Sequence, residues 1–206
     1  MSEATPSEPS EGYLRLLDAA EVLLDEHGID GVSARAIGIA AGHKNTGAVN
    51  YHFGERSELV RATLGRRAAA LDGQRHALLD ALGDSPSLDA IMPTMVDPLL
   101  ALLDDESGRR YLRLLNQAAS HPRLFQYAGP DYNSSLVRAF QLIHRHFTDV
   151  PFAVFILRAR LALGMTLFAL ADQSRLIEAE SPPRPVVPAE EFRDQLLAAI
   201  LRLLQA

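Results

Sequence analysis

VSARAIGIAAGHKNTGAVNYHFGERSEL, residues 32–59, is the stretch that decides the fold of this chain. Ser33 is a residue type that favours the N-terminal cap of a helix, and apolar residues follow it at helical spacing: Ile37, Ala40 and Ala41. Gly42 marks a turn, and a second short helix is predicted at about residues 46–52 with three apolar anchors: Ala48, Val49 and Phe53. Two short helices that meet at a glycine-containing turn predict a helix-turn-helix.

A longer helix is predicted on each side of this stretch. Before it, apolar residues recur at helical spacing up to Gly28, which we expect to end the helix in the left-handed conformation: Tyr13, Leu16, Leu17, Ala20, Leu23 and Leu24. After it, residues 55–82 are predicted to form a helix long enough to link two modules. Residues 1–11 are rich in Ser, Pro and Glu, and we expect them to be a disordered tail.

The remaining segments also show helical periodicity. Ser87 is predicted to cap a helix that Pro93 and Pro98 kink or divide, and another helix is predicted to stop before His121. Residues 152–177 are apolar on almost every face, which predicts a helix buried on most sides.

The fold class that follows is all-α, with about nine helices and no strand. We divide the chain into the tail at residues 1–11, a three-helix module at residues 12–56 and a helical domain at residues 57–206.

Charge and composition limit the function classes. The 206 residues carry a net charge of -6, so the molecule as a whole does not have the charge of a protein that coats nucleic acid. Residues 32–67, however, hold six basic residues against two acidic ones, and this places a local positive charge on the helix-turn-helix. There is no cysteine, and the N-terminus lacks the pattern of a signal peptide. The longest mostly apolar run, residues 161–171, is too short to span a bilayer, so we expect a cytoplasmic protein without a membrane partner.

Residues 40–59 carry a family resemblance. AAG at 40–42, GAVNYHF at 47–53 and then Gly54, Arg56, Glu58 and Leu59 together resemble the TetR family of bacterial transcriptional repressors. The resemblance implies a homodimer whose N-terminal module grips operator DNA and whose C-terminal helices hold a small-molecule pocket and the dimer interface. The turn HKNTG, residues 43–47, departs from the family pattern by one additional residue. We expect this residue to lengthen the loop without moving the second helix.

Physical reasoning about DNA recognition points to the same module. A recognition helix needs short polar or basic side chains at its start, because its first residues face base edges while its flanks meet phosphates. The amide of Asn50 suits an adenine edge, and Ser33 and Arg56 begin helices, where phosphate binding is favoured. The candidate DNA-binding residues are Ser33, Arg35, Lys44, Asn45, Thr46, Gly47, Asn50, Tyr51, His52 and Arg56.

Some of these residues have simpler alternatives. Asn45 and Thr46 are also typical helix caps, Tyr51 also suits packing, and His52 also suits a surface position without a role. Three further arginines are interpreted as a solvated face that points away from DNA: Arg61, Arg66 and Arg67.

Catalytic sites find little support in the sequence. None of the seven histidines forms an HExxH pair, although a metal site assembled from distant residues stays open, and no glycine-rich phosphate loop occurs. Gly83, Asp84 and Ser85 lack the strand-to-helix elbow of a hydrolase nucleophile, so a turn is favoured there. We therefore expect no enzymatic activity, no cofactor and no metal.

The C-terminal helices contain many bulky apolar side chains, most of which a packed core explains. Arg158 and Arg160 interrupt the apolar stretch, and one of them is open to pairing across a dimer, with Asp172 or with an anionic ligand. We predict a mainly hydrophobic cavity with a few polar anchors. The candidate ligand-binding residues are Tyr111, Asn116, His121, Phe125, Tyr127, Phe140, Arg158, Met165 and Phe168.

Two predicted helices have more apolar surface than one partner helix covers. They lie near residues 152–178 and 189–205, and pairing with their symmetry mates predicts a homodimer. A two-fold dimer sets the recognition helices about 34–36 Å apart, so the operator is predicted to be palindromic. The alternative function is a ligand-binding or protein-interaction module that keeps this fold without binding an operator.

Overall fold

The computed structural model describes residues 10–43, 47–121 and 133–206, and within these ranges the chain is helical without a strand. This confirms the all-α prediction. Nine α-helices lie in the described ranges: α1 Glu11–His27, α2 Ala34–Ala40, α3 Ala48–Phe53, α4 Arg56–Ala81, α5 Leu88–Leu100, α6 Glu106–Ala119, α7 Ser134–His144, α8 Phe152–Glu178 and α9 Ala189–Gln205. A 3₁₀ turn, Ala101–Leu103, follows α5 directly.

The helices form two compact units, one ending at Thr63 and the other beginning at Leu64. Helix α4 begins in the first unit and continues in the second. The sequence-based boundary after residue 56 falls at the first residue of this helix.

The first unit has a core made by one apolar stripe from each of its helices. Its fully buried side chains are Leu16, Leu24, Ile37, Val49, Leu59 and Val60. Ser33 caps α2, because its Oγ accepts a hydrogen bond from the backbone N–H of Ala36 at 3.1 Å. The predicted cap and the predicted contributions of Ile37 and Val49 to the core are therefore confirmed.

Two local predictions in this unit are wrong. Ala40 is exposed, although its spacing of three residues from Ile37 places it on the same side of α2. Gly28 ends α1 with a φ of 82°, but its ψ of 157° lies outside the left-handed helical region, so the chain leaves α1 extended. The predicted second helix of the helix-turn-helix is present as α3, Ala48–Phe53.

The second unit contains the proline-bearing helix. Ser87 caps α5 through a hydrogen bond from the N–H of Ala90 at 3.3 Å, as predicted. Pro93 and Pro98 both lie inside this helix without dividing it, although each removes one backbone hydrogen bond. The predicted interruption comes only after Leu100, where the chain continues as the 3₁₀ turn.

Helix α8 is less buried than its sequence predicted. Its exposed apolar side chains include Phe152, Leu157, Leu161 and Phe168, so the prediction of burial on most sides is wrong for the single chain. By length and composition alone this 27-residue helix is able to cross a membrane, whereas the mostly apolar run at 161–171 is too short by itself. Only 33% of its apolar 18-residue window is buried.

The cap of α5 generates a stability prediction. Ser87→Ala removes the side-chain acceptor for the N–H of Ala90 and should lower the free energy of unfolding by about 1 kcal/mol. Urea denaturation measures this change. Ser85→Ala, the same substitution at an exposed residue of the same loop, is the matched control and should leave the free energy unchanged. Equal losses in the two variants would contradict the capping role.

Candidate functional site

Helix α3 separates an apolar face from a polar face within six residues. Ala48 and Val49 are buried in the first unit, whereas Asn50 is exposed and the side chain of Tyr51 is 85% exposed. Two of the predicted DNA contacts therefore lie side by side on an open surface. An exposed aromatic ring next to an exposed amide suits contact with a polar partner better than packing within the chain.

The start of α2 carries two further candidates. Ser33 is exposed, and its Oγ is already engaged with the N–H of Ala36 as the helix cap. Arg35 is exposed on the first turn of the same helix. Its guanidinium lies where a phosphate can reach it.

Arg56 makes a contact within the chain that the sequence did not predict, and its predicted phosphate contact stays a prediction. Its Nε donates a hydrogen bond to the carbonyl oxygen of Val32 at 2.7 Å, and its Nη2 is buried without a hydrogen-bond partner among the described residues. The guanidinium therefore connects the start of α4 to the residue before the Ser33 cap. It is a structural contact within the first unit, and the sequence analysis missed it because the two residues are 24 positions apart.

His52 belongs to an aromatic cluster, which here means Tyr13, His43, Tyr51, His52 and Phe53. Its ring lies 4.9 Å from that of Tyr51 and 6.2 Å from those of Tyr13 and His43, centre to centre. The Tyr13 ring stacks on Phe53 at 4.6 Å. The simpler interpretation, a surface histidine without a role, does not describe this half-buried position. Tyr13 and His43 are the site neighbours that sequence reasoning missed.

Gly12 lies against this aromatic cluster at the start of α1. A Cβ at this position would lie 3.4 Å from His43 Cε1 and 3.5 Å from His52 Nε2, which is ordinary van der Waals contact. Nε2 of His43 lies 3.4 Å from the Gly12 carbonyl oxygen, so the first turn of α1 and the cluster are in direct contact.

The turn between α2 and α3 is described only in part. Lys44, Asn45 and Thr46 lie outside the described residues, so their predicted contacts stay predictions. Gly47 is the residue before α3, with a φ of −87° that any residue type adopts.

The candidate ligand-binding residues occupy several helices of the second unit. Tyr111 is buried in α6, and its hydroxyl donates to the carbonyl oxygen of Leu64 at 3.2 Å. Phe125 and Tyr127 lie outside the described residues. Asn116, His121, Phe140 and Met165 are partly buried, and Phe168 is 61% exposed on α8.

One of the two arginines of α8 is bonded within the chain and the other is exposed. The bonded arginine does not pair with Asp172, which was one of the suggested partners. Arg158 donates from Nη1 to the carbonyl oxygen of Leu204 at 3.0 Å, which secures the end of α9, and Arg160 is exposed. Asp172, the suggested partner, instead forms an ion pair with Arg184.

A polar cluster that the sequence analysis did not predict joins α4 to the start of α7. It consists of Asp72, Arg75, His76, Ser134 and Ser135. One carboxylate oxygen of Asp72 accepts from the N–H and Oγ of Ser135 at 2.9 and 2.6 Å, and the other accepts from Ser134 Oγ at 2.8 Å. His76 Nε2 lies 2.8 Å from Ser134 Oγ. Asp72 therefore caps α7 from another helix.

The environment of Asp72 sets its ionisation. Burial alone would raise the pKa of this carboxyl, but the hydrogen bonds from Ser135 and Ser134 outweigh it, so the pKa lies below its ordinary value. A carboxylate whose pKa is lower in the folded chain stabilises the fold above its unfolded-state pKa. That stability is lost as the pH falls through the folded-state pKa.

This pKa direction generates a second prediction. Asp72→Asn should lower the free energy of unfolding by about 2 kcal/mol at pH 7, since charge-assisted hydrogen bonds to the start of α7 are lost. The difference from the wild type should begin to narrow below about pH 4, the ordinary pKa of an aspartate in the unfolded chain, and should continue to narrow through the lower folded-state pKa. Urea denaturation across this pH range measures both effects.

Asp80→Asn is the matched control for this substitution. Asp80 also lies on α4 and pairs with Arg138 of α7, but its side chain is 67% exposed. It should change stability by less than about 1 kcal/mol. A loss for Asp72→Asn that stays the same from pH 7 to a pH well below the folded-state pKa would show that the ionised carboxylate is not the source of the stability.

Comparison with known protein families gives two matches. A family described as bacterial regulatory proteins, tetR family, matches residues 16–63, and a tetracyclin repressor-like C-terminal domain matches residues 94–201. No curated protein sequence is significantly similar to the chain.

Solved structures resemble the chain in fold. The structure of NalD from Pseudomonas aeruginosa, described as the secondary repressor of the MexAB-OprM multidrug efflux pump, superposes with a TM-score of 0.61 at 22% identity and covers 93% of this chain and 96% of its own. A tetR-family protein from Shewanella sp. PV-4 gives 0.64 at 15% identity over 95% and 96% of the two chains. One from Mesorhizobium loti gives 0.54 at 14% identity over 98% of both chains.

Proposed function

This chain belongs to the TetR family of bacterial regulatory proteins, and we propose that it is a sequence-specific DNA-binding repressor released from a palindromic operator by a small ligand. The observation that carries the proposal is the exposed face of α3. Asn50 and Tyr51 are open there, while Val49 on the opposite face is buried. A short helix that shows only polar and aromatic groups on its outer face suits the major groove.

The proposed contacts divide by chemistry. Asn50 reads a base edge, together with the polar residues that precede the helix: Lys44, Asn45, Thr46 and Gly47. Tyr51, His52, Ser33 and Arg35 lie around this surface and contact phosphates. Arg56 contributes positive potential, but its guanidinium serves mainly to hold Val32 in place.

We further propose a homodimer formed by α8 and α9. The support is the exposed apolar face of α8, including Leu157, Leu161 and Phe168, which a single chain leaves in contact with water. Two copies of this face can bury each other around a two-fold axis.

The proposed effector is small and mainly hydrophobic, and it binds among the helices of the second unit. Its candidate contacts remain the nine residues named from the sequence. The ligand favours one conformation of α4 over another. It thereby changes the separation of the two helix-turn-helix modules of the dimer and lowers the affinity for the operator. The protein is proposed to act in the cytoplasm.

The DNA contacts can be tested by substitution at Asn50 and Lys44. Asn50→Ala should cost about 1–3 kcal/mol of discrimination between a duplex selected from a randomised pool and its scrambled version. Lys44→Ala should weaken binding to both duplexes and flatten the salt dependence of the affinity. Fluorescence anisotropy at several salt concentrations measures these quantities.

Gln74→Ala removes an exposed amide from α4 and serves as the matched control for Asn50→Ala. Its affinity and discrimination should equal those of the wild type. If Asn50→Ala and Lys44→Ala bind the two duplexes as Gln74→Ala does, the assignment of Asn50 and Lys44 to the DNA-binding surface is wrong. A wild-type protein that selects no duplex would instead favour the alternative module without operator binding.

The dimer interface can be tested with a charge on α8. Leu161→Glu should convert the dimer to a monomer and weaken DNA binding, because the carboxylate would be buried without a partner. Sedimentation velocity measures the mass. Val137→Glu on α7 is the matched control, since Val137 and Leu161 are both 54% exposed. A Leu161→Glu protein that stays dimeric would place the interface elsewhere.

A further inference from the structure

Arg75 is a buried cation on α4, and it is 5% exposed. The one hydrogen bond that its guanidinium makes to the described residues runs from Nη1 to Ser135 Oγ at 3.1 Å. Nε is buried without a partner in the described part of the chain. A guanidinium carries five N–H donors, and among the described residues the Nε–H at least has no acceptor.

The charge of Arg75 is also poorly matched. No ion pair within the described ranges includes this residue. Asp72 is the carboxylate nearest to Arg75 along α4, and both of its oxygens accept hydrogen bonds from Ser134 or Ser135. Burial lowers the pKa of Arg75, and the charges of Asp72 and Tyr111 act in the opposite direction. Arginine does not release its proton in proteins, so the site retains a positive charge that calls for a closer anion.

The proposed effector is small and mainly hydrophobic, and Arg75 adds a requirement for a negative charge. We propose that it is a small monocarboxylic acid whose carboxylate forms a bidentate ion pair with Arg75. This inference rests on the proposed function and names the chemistry of its ligand. The fork of a guanidinium matches the two oxygens of a carboxylate, and one positive charge balances one negative charge.

The surroundings of Arg75 suit the rest of such a molecule. Leu71 and Leu79 lie four residues before and after Arg75, on the same side of α4, and both are buried. Tyr111 is buried in the same unit, with its hydroxyl already bonded to Leu64. An acidic head at Arg75 therefore comes with an apolar environment for a hydrocarbon or aromatic body.

The arrangement also gives the acid a way to act on α4. Ser135 is shared, because its Oγ accepts from Arg75 and donates to Asp72. A carboxylate that takes the place of Ser135 at Nη1 weakens the attachment of α4 to the start of α7. Arg75 lies on α4, which begins at Arg56, directly after the helix-turn-helix in sequence. A ligand bound at Arg75 therefore acts on the helix that follows the DNA-binding module.

The test compares acids with their uncharged primary amides. The pairs are the straight-chain acids from butanoate to dodecanoate and also benzoate, each with its amide. Thermal unfolding of the full-length wild type is measured with each compound. At least one acid should raise Tm more than its amide does, and calorimetry should show at least tenfold tighter binding of that acid. If every amide stabilises the protein as well as its acid does, or if no acid stabilises it, the proposal is overturned.

Variants assign the effect to Arg75. Arg75→Gln should abolish the difference between the acid and its amide, and Arg75→Lys should retain part of it, since the charge remains but the fork is lost. Arg138→Gln on α7 also removes one positive charge and should behave as the wild type. If Arg75→Gln does not fold, the comparison of acids with their amides in the wild type and in Arg75→Lys still tests the assignment to Arg75. An acid preference that is undiminished in Arg75→Lys or Arg75→Gln overturns the assignment.

DNA binding is measured separately in the same proteins. The effective acid should lower the affinity of the wild type for its selected duplex at least tenfold, and it should not do so in Arg75→Gln. If the wild type binds the acid through Arg75 but selects no duplex, the proposed function fails and the acid site stands. If it binds DNA but shows no acid preference, the acid site fails and the proposed function stands.

Discussion

Helix α3 is too short to be stable by itself. The exposed surface that carries Asn50 and Tyr51 therefore depends on the contacts that α3 makes with the core of the first unit. Starting a helix costs more than its first hydrogen bonds return, so a six-residue helix in water is unstable. Burial of Ala48 and Val49 supplies the missing stability. Because the helical period is 3.6 residues, fixing these two side chains inside turns Asn50 and Tyr51 outward. The exposed surface is therefore a consequence of the core.

Helix α4 depends on polar contacts at two points along its length. At its start, Arg56 donates to the carbonyl of Val32 and completes the first unit. In its second half, Asp72 caps α7 through Ser135 within the second unit. The first contact joins α4 to the residue before the Ser33 cap, and the second joins α4 to α7. Both are hydrogen bonds, whose strength depends on direction more than that of apolar contacts does.

The sequence predicted what depends on local pattern and missed what depends on distant pairs. Ser33 and Ser87 were identified as caps because a cap lies three residues from the N–H that it binds. Val49 and Ile37 were recognised from helical spacing. The contacts of Arg56 and Asp72 join residues 24 and 63 positions apart, and no periodicity records them.

Helix α8 shows why an apolar sequence does not by itself define its environment. The polar groups on its inner side are bonded within the chain: Thr166 to the Ala162 carbonyl, Ser174 to that of Ala171, and Gln173 to that of Val187. The Thr166 and Ser174 bonds return to carbonyls of α8 itself, and the Gln173 bond reaches the segment that follows the helix. Together they provide the partners that buried polar groups need. The opposite face carries Leu157, Leu161 and Phe168 without bonded polar groups between them. An exposed apolar surface of this kind is stabilised when another apolar surface covers it. The same helix in a second copy of the chain carries an identical surface.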